Sequence, residues 1–387
     1  MKVAVTILAF CVASLLALGL VMLYSASMTQ VGAHYLMMQL VWCVFGFVTC
    51  VAAVSMDYQL LKRQDVVFSI FVLAVVLLCL VYPFPHLPHL PERFIKKTNG
   101  AHRWFILPGG TRVQPSEFAK IALILALAWY GDRFQRRMQT FTWGIAVPLG
   151  IIALMLGLVF IEPDRGTTIL LAMVSGSILL LAGVQWKFIV PPLVLAAAGL
   201  VVSILHDPMR MKRIFSWLDL EQSKDGAGYQ AYQAMIALGS GGWTGLGLGN
   251  GRQKLGFVPE HHTDFIFSII GEELGLVATL LVALAFVVLA VCGIYIALHA
   301  KDRFGTLLAA GITLLIALQA AINIGVVTSA LPNKGLPLPF ISYGGSNLLV
   351  MLTCVGLLLS VARRTAPVKI SASDLISENN PFAAKAA

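Results

Sequence analysis

Long, nearly continuous apolar runs restrict the fold of this chain more than any other feature. A helix needs roughly 20 apolar residues to cross the hydrocarbon core of a bilayer. Ten runs of this kind lie near residues 3–25, 36–55, 66–82, 118–130, 143–161, 167–183, 188–205, 265–298, 305–328 and 345–362. Because the runs are continuous rather than alternating, they favour helices over barrel strands. The sequence therefore predicts an all-α polytopic membrane protein with ten transmembrane helices.

The composition agrees with a membrane protein and excludes other classes. The chain is 58% hydrophobic and 12% charged, whereas soluble proteins contain about 25% charged residues. This difference excludes a set of soluble domains and a disordered chain. The net charge of +9 does not indicate nucleic-acid binding, because the basic residues punctuate apolar runs instead of covering one face of a soluble fold.

Basic residues in the short loops predict the orientation. The loops after the second, fourth, sixth and eighth spans carry Lys62, Arg63, Arg133, Arg136, Arg137, Lys187, Lys301 and Arg303, whereas loop 26–35 carries no Lys or Arg. The positive-inside rule then places both termini in the cytoplasm. We expect residues 1–368 to form a single ten-helix membrane domain, and the polar residues 369–387 to form a disordered cytoplasmic tail.

Roughly half of the 27 basic residues in the chain face outward in this topology. Most lie in two long outer loops, about 83–117 and 206–263, which the positive-inside rule does not govern. One interpretation is solvated charge or attraction to anionic headgroups. The other is a basic cavity for an anionic ligand, such as a phosphate or pyrophosphate, because Arg and Lys bind these oxygens strongly.

Ionisable residues also lie close to or inside the apolar runs, where charge is costly and indicates function by default. Glu117 and Lys120 are three residues apart, so on a helix they share a face and can pair. They form either a structural ion pair or a ligand contact. Glu272 and Glu273 are consistent with a helix that passes through a polar bundle interior.

A proline- and glycine-rich segment at 331–345 interrupts the helical pattern. Its three prolines and three glycines cannot continue a helix, yet the segment is too apolar for an exposed loop. Non-helical backbone at membrane depth is tolerated where it is buried in protein or lines a cavity. We therefore expect a re-entrant outer segment that presents Lys334 and Ser342.

The string PEHHTD at 259–264 places two histidines and two carboxylates just before the eighth span. A zinc site is disfavoured, because the histidines lack helical i, i+4 spacing. A hydrated divalent cation held by Asp264 or Glu260 is one alternative. A second is that a partly desolvated Asp264 acts as a general base. A third is that Thr263 or Asp264 caps the helix.

Several strings resemble the motifs of the SEDS family, the FtsW and RodA group of shape, elongation, division and sporulation proteins. They are MLYSAS at 22–27, GAHRW at 100–104, QPSEFAK at 114–120, EPD at 162–164, GYQ at 228–230, GLGN at 247–250, HTDFIF at 262–267 and PFISYGGS at 339–346. The resemblance covers about residues 23–364. The EPD string and KGLPLPFISY at 334–343 resemble the division member FtsW more than RodA.

The resemblance implies ten transmembrane helices in the bacterial cytoplasmic membrane and a peptidoglycan glycosyltransferase that polymerises lipid II. It implies a class B penicillin-binding protein as partner, within a division or elongation complex. The family's catalytic aspartate corresponds to Asp264. Its functional Arg-Trp pair corresponds to Arg103 and Trp104, the Glu and Lys of its fourth helix to Glu117 and Lys120, and a further basic residue to Arg213.

Together these features predict a polymerase whose site faces outward. Asp264 would accept a proton from the acceptor sugar, and outer Arg and Lys residues, with Mg²⁺ or Mn²⁺, would stabilise the leaving pyrophosphate. A flippase for the same lipid fits the spans and buried charges equally well, but transporter sites lie near the bilayer midplane. A structural recruiter of division proteins is the third hypothesis.

Overall fold

Helices account for nearly all regular structure in the computed structural model, which describes residues 1–27, 32–81, 103–106, 112–224, 226, 228–258 and 262–365. In chain order the α-helices are α1 (Lys2–Ser27), α2 (His34–Ser55), α3 (Gln64–Val81), α4 (Pro115–Arg133), α5 (Val147–Ile161), α6 (Arg165–Leu181), α7 (Trp186–Leu205), α8 (Pro208–Leu218), α9 (Tyr229–Ser240), α10 (Ile266–Leu298), α11 (Arg303–Val327) and α12 (Gly345–Thr365). Strands β1 (Phe105–Ile106) and β2 (Arg112–Val113) pair antiparallel.

Each of the ten predicted apolar runs coincides with one helix, and α8 and α9 are additional. Eight helices in the described part of the chain are long and apolar enough to cross a membrane, where α5 is counted together with the π-helical turn Thr142–Ala146 that precedes it. The two remaining predicted spans are α4, which carries charged residues at both ends, and α6, which has 17 residues. All six cysteines are free and lie within helices.

Both predicted outer loops include helical residues. The first outer loop was predicted to end at residue 117, but α4 begins at Pro115, where a proline suits the first helical turn because its missing N–H needs no partner there. The second, 206–263, was treated as one long loop, but it contains α8 and α9. The predicted tail at 369–387 and the loop residues Arg93, Lys96 and Lys97 lie outside the described residues.

The core of the bundle forms around α4, α11 and α12. Helix α11 packs on α10, α4 and α6, and α12 packs on α2. These central helices are mostly buried, whereas α7 exposes nearly its whole surface. Apolar side chains on the outer helices are exposed here because their natural solvent is lipid, where helix packing rather than hydrophobic exclusion holds a bundle together.

Helix α10 is broken at Gly275, whose φ of 78° lies in the left-handed region. The glycine-rich segment 241–247 packs into this break, and Leu246 N donates to Glu272 O while Leu276 N donates to Gly242 O. A Cβ atom on Gly275 would lie 2.4 Å from Gly245 N, so only glycine fits. The segment thus satisfies backbone groups that the break leaves without helical partners.

Candidate functional site

The backbone just before α10 is held against the non-helical segment between α11 and α12, residues 328–344. Tyr343 N donates to His262 O at 3.0 Å. The Ser342 hydroxyl donates to Thr263 O at 2.6 Å and accepts from Leu338 N at 2.8 Å. These contacts fix two consecutive carbonyls of the predicted catalytic string to the proline- and glycine-rich segment.

Asp264 is held at the third consecutive carbonyl. The Asn323 side-chain amide, on α11, donates to Asp264 O at 2.8 Å and to Leu336 O at 2.7 Å. The Asp264 carboxylate lies directly against Gly335, because a Cβ atom built on Gly335 would be 2.6 Å from Oδ2. The carboxylate is therefore confined by the same segment that holds its backbone.

The capping alternative for Asp264 was wrong. The N-cap residue of α10 is Phe265, and it makes no side-chain capping hydrogen bond. Neither Thr263 nor Asp264 occupies that position, since both belong to the preceding turn. The general-base and cation hypotheses for Asp264 stay predictions.

The predicted pairing of Glu117 with Lys120 is confirmed. Lys120 Nζ lies 2.8 Å from Glu117 Oε1, and the two side chains are 0% and 3% exposed. Lys120 also donates to Gln319 Oε1 at 2.9 Å, and Asn347 donates to Glu117 Oε2 at 2.9 Å. Gln319 Nε2 in turn donates to Pro337 O at 2.9 Å. The ion pair therefore lies beneath the proline- and glycine-rich segment and supports it.

The predicted site residues of the 331–345 segment have different environments. Ser342 is buried, with its hydroxyl bonded to backbone groups on both sides. Gln39 on α2 adds a donor to Ser342 O at 3.2 Å. Lys334 is partly exposed and precedes Gly335, the residue that contacts the Asp264 carboxylate. Of the two, Lys334 has the more exposed side chain.

Arg103 binds the turn between α5 and α6. Its Nε donates to Glu162 O at 2.8 Å and its Nη2 donates to Pro163 O at 2.6 Å. Trp104 follows at partial burial, just before β1. The first turn of α6 lies beside the segment that contacts Asp264, because a Cβ atom on Gly166 would be 3.4 Å from Gly335 O.

The same turn contains a buried carboxyl group without a hydrogen-bond partner among the described residues, that of Glu162. Burial, reinforced by the Asp164 carboxylate, raises the pKa of Glu162 from 4.5 to about 8, although Arg103 opposes the shift. Asp164 itself caps α6, with Oδ1 accepting from Thr167 N at 3.1 Å. Glu162 is therefore protonated near neutral pH, because ionising it would bury an unsolvated charge.

Arg213 lies on α8 and is exposed. The helix is attached to the segment after α11 by a hydrogen bond from Trp217 Nε1 to Ser329 O, 2.9 Å long. Arg213 lines a cleft together with Ser329 and Asn333. The cleft therefore lies between α8 and the segment after α11.

The acidic pair on α10, Glu272 and Glu273, lies in a polar part of the bundle interior, as its sequence position suggested. Glu273 is fully buried and pairs with Lys254 Nζ at 2.6 Å. It also accepts from the Ser25 hydroxyl on α1 and from Gly249 N. Glu272 accepts backbone N–H bonds of the loop before α10. These carboxylates fasten the glycine-rich loop to α1 and α10.

The described residues contain no group of three or more His, Cys, Asp or Glu side chains placed to hold a metal ion. Glu260 and His261 lie outside those residues. A lone carboxylate such as Asp264 suits a hydrated Mg²⁺ that a substrate phosphate also binds, since Mg²⁺ keeps several waters and needs only one or two carboxylates. It does not suit a closed zinc site.

Sequence reasoning missed several residues that build the site, namely Asn323, Gln319, Gln39, Asn347 and Gly335. A signal was available for two of them. Gln319 and Asn323 are the uncharged amides of an otherwise apolar run, spaced i, i+4 and therefore on one face of α11. Polar side chains at membrane depth face the bundle interior, so this pair marks a buried polar surface.

Comparisons with known proteins agree with this architecture. Residues 6–366 match the family model for the cell cycle proteins FtsW, RodA and SpoVE. A protein of Trichlorobacter lovleyi is 40% identical over 362 residues, covering 92% of each chain. One of Coxiella burnetii is 39% identical over 365 residues, covering 92% of this chain and 95% of its own. Both carry the name "Probable peptidoglycan glycosyltransferase FtsW".

Two solved structures share the fold. A chain from a peptidoglycan synthase complex that coordinates polymerisation and crosslinking superposes with a TM-score of 0.76 at 26% identity, covering 93% of this chain and 98% of its own. The rod shape determining protein RodA of Thermus thermophilus superposes with a TM-score of 0.66 at 25% identity, covering 93% of this chain and 96% of its own.

Proposed function

The chain belongs to the FtsW, RodA and SpoVE family of cell cycle proteins, and from this premise we propose that it polymerises lipid II into peptidoglycan glycan strands during cell division. The names of its relatives support the reaction class. The observation that carries the proposal is the Asp264 carboxylate, which lies against Gly335 on a backbone held at three consecutive carbonyls. A carboxylate fixed in this way suits a general base, because proton transfer requires a defined geometry.

All ten predicted spans cross the cytoplasmic membrane in this proposal, with both termini inside and the site facing outward. The eight long apolar helices support the multi-pass arrangement. Helices α4 and α6 complete the arrangement, because neighbouring helices in the bundle pair the polar groups that lipid would leave without partners. The basic residues of the short loops support the orientation.

The proposed reaction joins two lipid-linked sugars. The 4-hydroxyl of the acceptor sugar attacks the anomeric carbon of the donor, and Asp264 accepts the hydroxyl proton. A new carbon–oxygen bond forms while the bond from the anomeric carbon to the pyrophosphate oxygen breaks. The polyprenyl pyrophosphate leaves with the bonding electrons and develops negative charge.

Basic side chains would stabilise that leaving group. Arg103 at the α5–α6 turn, Arg213 in the cleft and Lys334 beside Gly335 supply the cationic donors. Asp264, with oxygens of the substrate, would hold a divalent Mg²⁺ or Mn²⁺, which supplies further positive charge when bound.

The other predicted residues have supporting roles in this proposal. Trp104 packs against a sugar ring at the outer surface. Ser342 and the Glu117–Lys120 pair act through the backbone of the segment after α11, and they shape the substrate site from beneath rather than by direct contact.

A penicillin-binding protein of class B, which crosslinks the new strands, is the proposed partner. The structural similarity to a chain of a complex that coordinates polymerisation and crosslinking supports this assignment. The partner's crosslinking chemistry is separate from glycosyl transfer, so the two activities can be measured independently.

The experiment is polymerisation of lipid II by the purified chain with its partner, whose transpeptidase is blocked by a β-lactam. We expect glycan chains from the wild type and from Asp219→Asn. Asp219→Asn is the matched control for Asp264→Asn, because Asp219 lies in the same outer region and its side chain is exposed. Lipid II that crosses vesicle membranes without any glycan synthesis would contradict the proposal and favour a flippase. If the chain shows neither glycan synthesis nor lipid II transfer across the membrane, that result would favour a structural recruiter.

A further inference from the structure

Asn323 makes an unusual pair of contacts for a residue inside an apolar helix. Its side chain is 1% exposed, and its amide nitrogen donates to two backbone carbonyls on separate segments, those of Asp264 and Leu336. Both protons of the amide are therefore used. A buried amide is costly unless it is bonded, so these two contacts account for its position.

The orientation of this amide is determined by its surroundings. Asn323 Oδ1 has no hydrogen-bond partner among the described residues. Turning the amide over would place that oxygen against two carbonyl oxygens and lose both bonds. Asn323 therefore acts through donation alone, and it joins the Asp264 backbone to the Gly335–Leu336 backbone through one nitrogen atom.

Gln319 lies one turn earlier on the same face of α11 and extends this connection. It donates to Pro337 O at 2.9 Å and accepts from Lys120 at 2.9 Å. The carbonyls of Leu336 and Pro337, which have no helical partners, are thus bonded by two successive amides of one rigid helix. Of these two amides, that of Asn323 also bonds to the backbone of Asp264.

We propose that Asn323 is a positioning residue for glycosyl transfer, which sets the placement of the Asp264 carboxylate against Gly335 by holding both backbones to α11. The inference rests on the proposed function, since it assumes that Asp264 is the base. Asn323 touches no substrate and is fully buried, so its loss changes the geometry of the base and leaves substrate binding in place. A misplacement of about 1 Å lowers a rate by roughly 10²-fold.

The test compares kcat and KM for lipid II in three purified variants, each with the partner and a blocked transpeptidase. Asn323→Leu keeps the branched shape of the side chain and removes both donors. Asn323→Ser keeps one hydroxyl donor in case the leucine variant does not fold. Ser360→Ala is the matched control, because Ser360 is equally buried and donates to the carbonyl of Met56 at the other end of the bundle.

We expect kcat of Asn323→Leu to fall about 10²-fold with KM within roughly twofold of the wild type. We expect kcat of Asn323→Ser to lie between the values of the wild type and Asn323→Leu. Ser360→Ala should keep wild-type kinetics. A folded Asn323 variant with wild-type kcat would overturn the inference, as would a rise in KM at unchanged kcat. These outcomes are distinct from failure of the proposed function, in which Asp264→Asn would polymerise lipid II at the wild-type rate.

Discussion

Replacing Gly335 with alanine tests the placement of the Asp264 carboxylate by adding a single methyl group. The Cβ atom would lie 2.6 Å from Asp264 Oδ2, and ordinary contacts of this kind begin near 3.4 Å. The carboxylate must therefore move by about 0.8 Å, the difference of these two distances. Gly335 is exposed and does not have a positive φ, so alanine introduces no backbone strain and little change in stability.

A displacement of this size predicts a fall of roughly 10²-fold in the rate of glycan synthesis at saturating lipid II, equivalent to about 2.7 kcal/mol in the activation free energy. The assay is the length and yield of glycan chains formed from lipid II with crosslinking blocked. Gly344→Ala is the matched control in the same segment, because its nearest contact would be Asn347 Cβ at 3.7 Å. A folded Gly335→Ala protein with wild-type activity would show that glycan synthesis does not depend on the position of the carboxylate against Gly335.

Two further substitutions test the buried ionisable groups. Burial and Asp164 raise the pKa of Glu162 from 4.5 to about 8. Between these two pH values the folded state keeps a proton that the unfolded chain loses. The contribution of Glu162 to the free energy of unfolding therefore falls as pH rises from 4.5 to about 8, and it is constant at higher pH. Thermal unfolding across this range should show that slope in the wild type and a shallower one in Glu162→Gln. Lys120→Met removes one partner of a buried ion pair, and we expect a loss of roughly 3–5 kcal/mol as a lowered Tm, whereas Lys62→Met, at a partly exposed pair, changes Tm little.

The helices could be predicted from the sequence because lipid imposes a simple rule on them. Every apolar run of sufficient length became a helix at nearly the predicted position. The pairing of Glu117 with Lys120 also followed from local spacing. These features depend on residues within one or two helical turns of each other, which a single sequence displays directly.

The site depends on contacts between residues far apart in the chain, and these could not be predicted from the sequence. Ser342 was predicted to be presented to a ligand, but the segment folds so that its hydroxyl holds Thr263. The break at Gly275 was hidden inside one long apolar run, because its φ is set by the packing of segment 241–247. Gly335 carried no signal as a neighbour of Asp264, since the two are joined only by tertiary structure.

We propose that Asp264 acts in the chemical step as a base. The most direct measurement is the initial rate of glycan synthesis by Asp264→Asn at saturating lipid II, with the partner present and its transpeptidase blocked. Asparagine keeps the size of the side chain and its contact with Gly335 but cannot accept the proton. We predict a fall of roughly 10²–10⁴-fold with lipid II binding unchanged, and polymerisation at the wild-type rate would show that Asp264 is not the base.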